Sequence, residues 1–267
     1  MRWRRSADDS DVIDERSSSG GGGLGGLPVG LPGAGGGLGV IGILVFLAIQ
    51  FLGGGGGGSA ALSPGTVPGA PQAEDGLRDF SVYVFHDTQN FWQGKVRGYQ
   101  HAKLVLYRGA VSTGCGSASS AVGPFYCPAD QRVYLDLSFY SDMTDQLGAK
   151  GGDFAWAYVI AHEMGHHVQH ELGLPQPHSN AGSVKVELQA DCYAGVWAHH
   201  VASSGDLEQG DVAEALDAAT SVGDDRLQKR ATGTINPDSF THGTSAQRVA
   251  AFERGQADGD PSACATT

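Results

Sequence analysis

His162-Glu163-Met164-Gly165-His166 is the stretch from which the rest of the chain reads outward. Two histidines four residues apart share one face of a helix, with backbones roughly 6 Å apart, so both imidazoles reach one metal ion. Glu163 projects toward the edge of that face, where a carboxylate can take a proton from a water that the metal acidifies. The bland alternative is a helix with two exposed histidines, and the flanking sequence argues against it. Gly152 to Leu172 reads as one helix, with Asp153 near its start and Phe154, Trp156, Tyr158, Val159, Ile160 and Val168 as apolar bulk. Gly173 and Pro175 stop it. Met164 fills core, and Gly165 lets another element pass close. His167 points about 100° away from His166, so His167 and His170 read as helix-surface groups or supports behind the ligands.

A catalytic zinc takes three protein ligands and one water. The metzincin spacing would put Gly at 169 and His at 172, but the chain has Gln169 and Leu172. The next helix offers Glu187-Leu188-Gln189-Ala190-Asp191 instead. Glu187 is the expected third ligand. Asp191 lies one turn further on the same face, placed to accept the free ring N–H of a ligating histidine and fix its tautomer. Leu188, Ala190 and Cys192 make these surroundings too apolar for two idle carboxylates. One catalytic Zn2+ held by His162, His166 and Glu187 is therefore the expected cofactor, with Glu163 as general base.

Strand signals precede the motif, at Lys103–Tyr107 and at Gln131–Leu137, where polar and apolar residues alternate. Leu77 to Val96 reads as helical, although Ser81–Phe85 fits a strand equally well. After the motif come helices, over about 183–203, 206–222 and 244–254. The adjacent His199 and His200 read as surface groups favoured by a helix C-terminus. Strands in the first half and helices in the second define an α+β domain rather than alternating βαβ units. The formal charge of −12 over 267 residues argues against a nucleic-acid backbone as partner.

The N-terminal third differs in composition. Residues 1–37 are rich in Gly and Ser and are expected to be disordered. Residues 38–52 form an uncharged apolar run, about 22 Å long as a helix, which reaches membrane thickness if extended back to Val29. It reads as an uncleaved single-pass transmembrane anchor in preference to a secretory signal. Arg2, Arg4, Arg5 and Arg16 precede it, and no basic residue follows until Arg78. The positive-inside rule then puts the N-terminus in the cytoplasm and the domain of residues 74–267 outside the cell membrane, tethered by a flexible linker over 53–73. Four cysteines fit an oxidising compartment. Three pairings are possible; the favoured one joins Cys115 to Cys127 and Cys192 to Cys264. A structural zinc site made of all four has no C-x-x-C spacing to support it.

Assembled, these residues resemble the bacterial neutral zinc metallopeptidase family, a membrane-anchored group related to the gluzincins. The resemblance rests on Gly123-Pro-Phe-Tyr-Cys127-Pro-Ala-Asp130, Tyr134-Leu-Asp136-Leu-Ser-Phe139, His162-Glu-Met-Gly-His166-His-Val-Gln169, Glu187-Leu-Gln-Ala-Asp191-Cys192-Tyr-Ala-Gly195, Gly223-Asp-Asp-Arg226-Leu-Gln228 and Ser239-Phe-Thr-His242-Gly-Thr-Ser-Ala-Gln-Arg248. It implies a zincin-like α+β fold, the same three ligands and the same base. Thr241-His242-Gly243…Arg248 is similar to a His-Pro…Arg element of membrane-associated gluzincin proteases, with Gly243 in place of the proline. By that likeness His242 or Arg248 stabilises an oxyanion, or Arg248 binds Glu187 or Asp191. The competing reading makes Thr241 or Thr244 a helix cap and Arg248 a surface ion-pair partner.

The expected activity is hydrolysis of peptide bonds in a peptide or protein substrate, laid as an added strand along a sheet edge at about Arg132–Leu137. Three rival expectations are a zinc-dependent scaffold without turnover, a protease kept latent by its disulfide loop or tail, and an amidase acting on a small substrate.

Overall fold

The computed structural model describes residues 1–5, 8–17 and 70–265. The apolar run 38–52 and most of the linker lie outside the described residues. Among those described, no helix is long and apolar enough to cross a membrane.

The strands send alternate side chains to the two faces of the sheet, and the helices cover one of those faces. Strands β1 (Val12–Asp14), β2 (Lys103–Tyr107), β3 (Ala110–Thr113), β4 (Gly116–Ser119), β5 (Phe125–Cys127) and β6 (Arg132–Asp136) are interleaved with seven α-helices among the described residues. Helix α1 (Ala70–Gln93) precedes β2, and α2 (Phe139–Asp145) follows β6. Then come α3 (Asp153–Glu171), α4 (Asn180–Ser203), α5 (Asp211–Ser221), α6 (Asp224–Thr232) and α7 (Ser245–Asp258). The main sheet runs β1-β2-β6-β5, with β5 antiparallel to β6 and the other pairs parallel. Leu104, Leu106, Tyr126, Val133 and Leu135 face the helical side and pack with Phe85, Trp92, Phe154, Trp156 and Ile160. Their alternates, Val105, Tyr107, Phe125, Cys127 and Tyr134, face the other way and are covered by Val111 and Ala118 of the β3–β4 hairpin. The fold is α+β, as expected.

Ser81–Phe85 is helical, inside α1, which begins at Ala70, ahead of the Leu77 expected from the sequence. Position 132–137 is not an edge: β6 lies between β2 and β5, and the free edge on that side belongs to β5. Short strands without a long alternating run leave no periodic signal, which is why β1, β3, β4 and β5 escaped the pattern. Asp153 is the first residue of α3, while Gly152 occupies the cap position.

The expectation of disorder over 1–37 fails for residues 1–5 and 8–17. Strand β1 pairs with β2 in register Val12–Leu104, Ile13–Val105 and Asp14–Leu106. Ion pairs hold the stretch to the domain: Asp11 to Lys103 at 2.6 Å, Asp9 to Arg78 at 2.7 Å and Arg16 to Glu74 at 3.3 Å. The amino group of Met1 lies 2.8 Å from Asp153. Averaging over a glycine-dominated window had hidden the short run Val12-Ile13 between acidic residues.

Two close approaches fix the helices that build the site. Ala190 on α4 lies against Gly165 on α3, where an added Cβ would come within 3.0 Å of the Ala190 backbone. Helix α7 crosses α4 at Gly195 and Gly255: a Cβ at Gly195 would meet the Phe252 carbonyl at 2.0 Å, and one at Gly255 the Cys192 carbonyl at 2.0 Å. Both favoured disulfides are present, Cys115–Cys127 and Cys192–Cys264. The first ties the hairpin to β5, and the second ties the C-terminal turn to α4.

Candidate metal centre

Helices α3 and α4 bring His162, His166 and Glu187 together, with one donor atom from each lying within 4.8 Å of the others. His162 Nε2 is 3.2 Å from Glu187 Oε2, and His166 Nε2 is 3.6 Å from Glu187 Oε1. Both rings therefore turn the same nitrogen to one point. His162 and Glu187 are buried, while His166 is 16 % exposed and opens the point to solvent on one side. Burial opposes protonation of His162, but Asp191 and Glu187 outweigh it and push its pKa up to about 10. Burial likewise opposes ionisation of Glu187, yet the facing imidazoles hold its pKa well below the ordinary carboxylate value. The arrangement is a concentrated anion between two bases, suited to a dication.

Asp191 lies behind His162. Its Oδ1 is 2.8 Å from His162 Nδ1 and accepts a hydrogen bond from Tyr158 Oη at 2.5 Å. Arg248, on α7, donates to both carboxylate oxygens, from Nε at 2.8 Å and from Nη2 at 2.9 Å. Of the roles open to it, Arg248 thus binds Asp191, and at 1 % exposed it is no surface ion pair. Thr244 caps α7 through a reciprocal pair with Gln247.

Glu163 is 1 % exposed. Burial raises its pKa, partly offset by the imidazoles and by the backbone of Tyr126 on β5. A carboxylate whose charge is penalised in this way accepts a proton readily.

His242 is 2 % exposed, and its Nδ1 lies 3.1 Å from Asp224 Oδ1. Asp224 Oδ2 accepts the backbone N–H groups of Thr241, His242 and Gly243 at 2.7, 2.7 and 3.0 Å, which pins the loop. The ring is near enough to Glu187 to bear on its charge. A Cβ on Gly243, whose φ is +91°, would press on Val184 and Leu188 of α4. Nε2 of His242 is buried and has no hydrogen-bond partner among the described residues. Asp224, Gln169 and Tyr126 were given no role at the site in the sequence reading, and Tyr158 only that of apolar bulk. Asp224 carried one usable signal, an acidic pair directly after Gly223 where a helix starts.

The other histidines belong elsewhere. His167 is fully buried against the sheet, bonded to Tyr126 Oη at 3.0 Å and to the Gln100 carbonyl at 2.8 Å, and is not on the helix surface. His170 meets the same Tyr126 hydroxyl at 2.7 Å. His199 bonds the Gln256 carbonyl at 2.8 Å, and His200 stacks on Phe91. Both are half-buried rather than fully at the surface, and His200 lies in the last turn of α4, as expected.

Fold and site together define a class: an α+β domain whose paired helices present two imidazoles and a carboxylate to one point, with a second carboxylate alongside. The whole chain, residues 1–267, matches the family model described as "Putative neutral zinc metallopeptidase", and the protein belongs to that family. Among its relatives is the "Uncharacterized protein YpfJ" of Escherichia coli (strain K12), 46 % identical over 286 aligned positions covering 100 % of this chain and 98 % of the relative. The "Uncharacterized protein Rv2575" of Mycobacterium tuberculosis (strain ATCC 25618 / H37Rv) is 47 % identical over 191 positions, covering 66 % of this chain and 65 % of its own. No solved structure matches.

Proposed function

We propose that the protein is a zinc-dependent endopeptidase in which His162, His166 and Glu187 hold one catalytic ion and Glu163 handles the proton. The observation that carries this reading is the convergence of three buried or half-buried donors beside a second carboxylate, Glu163, whose charge is disfavoured by burial. The donor set suits zinc: two imidazoles and one carboxylate leave a position for water. No thiolate competes, since all four cysteines are paired. When bound, zinc supplies Lewis acidity, polarising a scissile carbonyl and acidifying a water beside it.

The chain's own groups do the rest. Glu163 takes the proton of the attacking water, and the proton later passes to the departing amine. Asp191 accepts the Nδ1–H of His162, which leaves Nε2 as the donor toward the ion. His242 turns Nδ1 to the Asp224 carboxylate and leaves Nε2 without a partner among the described residues; with both ring nitrogens protonated, that Nε2–H would stabilise the negative charge that develops on the carbonyl oxygen. The substrate lies as an added strand along the free edge of β5, whose Tyr126 backbone adjoins Glu163.

The two disulfides support an oxidising, extracytoplasmic location. A membrane attachment through residues 38–52 is part of the proposal, but the pairing of β1 with β2 is incompatible with a single pass and a cytoplasmic N-terminus, so the attachment proposed is one that leaves both flanking segments on the same face.

The test is a peptide-library cleavage assay with zinc analysis of wild type and Glu163→Gln. The variant is expected to keep one zinc per chain and lose activity by several orders of magnitude. An unchanged rate in a pure sample would end the proposal.

A further inference from the structure

The two ligating histidines are oriented by different devices. That of His162 is the ionised Asp191. That of His166 is a relay of neutral amides reaching the C-terminal turn, and its polarity follows from groups that cannot reverse.

Gln189 Nε2 lies 3.0 Å from the carbonyl oxygen of Cys264, which only accepts. The amide is therefore fixed with its nitrogen toward the tail and its Oε1 toward Gln169. Gln169 Nε2 lies 3.0 Å from that Oε1 and 2.7 Å from the carbonyl oxygen of Val186. Both neighbours accept, so both its protons are used and its Oε1 is turned the other way. That oxygen is 2.9 Å from His166 Nδ1. Nδ1 must carry the proton, and the lone pair is left on Nε2, the nitrogen that faces Glu187. Two backbone carbonyls thus determine one histidine tautomer. Gln169 and Gln189 are each only 6 % exposed, so water cannot readily substitute for a lost partner. The far end is anchored because Cys264 is bonded to Cys192, three residues beyond Gln189 on α4.

We infer that Gln169 and Gln189 are positioning residues for His166, acting in series, with the Cys192–Cys264 bridge holding the end of the relay. The inference rests on the proposed zinc site but can fail separately from it. A purely structural pair of amides would join α3 to α4 without affecting zinc.

The experiment is competition of the intact protein with a zinc chelator, comparing wild type, Gln169→Met, Gln189→Met, the double variant and His166→Ala. Thermal unfolding of each confirms folding. Gln169→Met is expected to raise the zinc Kd by about 10- to 100-fold, as loss of a ligand's hydrogen-bond partner does elsewhere. Gln189→Met acts only through Gln169, so its effect is smaller, and the double variant is no worse than Gln169→Met alone. Gln189 lies off the metal helix, so its variant still tests the inference if Gln169→Met fails to fold. A zinc Kd within about threefold of wild type in the folded Gln169→Met protein, or in folded Gln189→Met should Gln169→Met not fold, overturns the inference if His166→Ala weakens zinc far more. Independent, additive effects of the two glutamines overturn the serial relay. If His166→Ala itself leaves zinc binding unchanged, the metal site falls and the inference with it.

Discussion

Replacing Arg248 by methionine tests the buried ion pair on which the orientation of His162 depends. In the native protein Asp191 is fully buried and accepts from Arg248 Nε, Arg248 Nη2 and Tyr158 Oη, with His162 Nδ1 at 2.8 Å. Methionine keeps most of the aliphatic volume but removes two charge-assisted bonds and the guanidinium charge. Breaking a buried pair from one side costs about 3–5 kcal/mol, because a bare charge is left behind. At about 2–4 °C per kcal/mol for a domain of this size, Tm should fall by roughly 6–20 °C. The pH dependence has a definite sign. Burial favours the neutral acid at Asp191, but Arg248 and His162 outweigh it and hold the pKa below its ordinary 3.8. The stabilisation is therefore fully present above about pH 4 and is lost as pH falls toward the folded-state pKa. Without Arg248 that pKa rises, and acid unfolding begins at higher pH. The double variant Arg248→Met/Asp191→Leu is expected to recover much of the lost stability, since no uncompensated charge remains. Its zinc affinity should nevertheless stay about 10- to 100-fold weaker, because His162 has lost its acceptor. Thermal melts across pH and chelator competition read both quantities. A single-variant loss under about 1 kcal/mol, or a double variant as unstable as the sum of the singles, would refute this reasoning.

Gly255→Ala places a methyl about where the Cys192 carbonyl already sits, 2.0 Å away, so α7 must move off α4. It is expected to lower Tm by several degrees and to weaken zinc by displacing Arg248 from Asp191, read by melts and chelator competition. An unchanged melt would contradict the crossing. β1 and β2 belong to one sheet, so β1 and the domain are expected to lie in one compartment. The pair Ile13→Cys/Val105→Cys, adjacent in register, should cross-link in intact cells and shift on a non-reducing gel. Absence of the cross-link even under added oxidant would remove β1 from the sheet.

Much of the site was legible because helical spacing is local. Four residues separate His162 from His166 and four separate Glu187 from Asp191, so each pair lies on one face without any knowledge of the fold. Gly165 announced a close approach, and Ala190 fills it. What was not legible depends on distant pairing. Nothing local makes Asp224 the acceptor of three backbone groups eighteen or so residues later, nor turns Arg248 inward to Asp191 fifty-seven residues away. The sheet edge was misplaced because β5 is three residues long and its antiparallel pairing with β6 has no periodic signature. The N-terminal stretch was misread because its ordering comes from ion pairs with α1 and β2, contacts that composition does not encode.

The account stands on one ion being held by His162, His166 and Glu187. Zinc K-edge X-ray absorption on protein loaded with one equivalent, run beside Glu187→Ala, addresses that directly. The expected spectrum shows nitrogen and oxygen at about 2.0–2.1 Å with the outer scattering of two imidazoles, and it changes when Glu187 is removed. Sulfur scattering at about 2.3 Å, or a spectrum indifferent to the loss of Glu187, would contradict it.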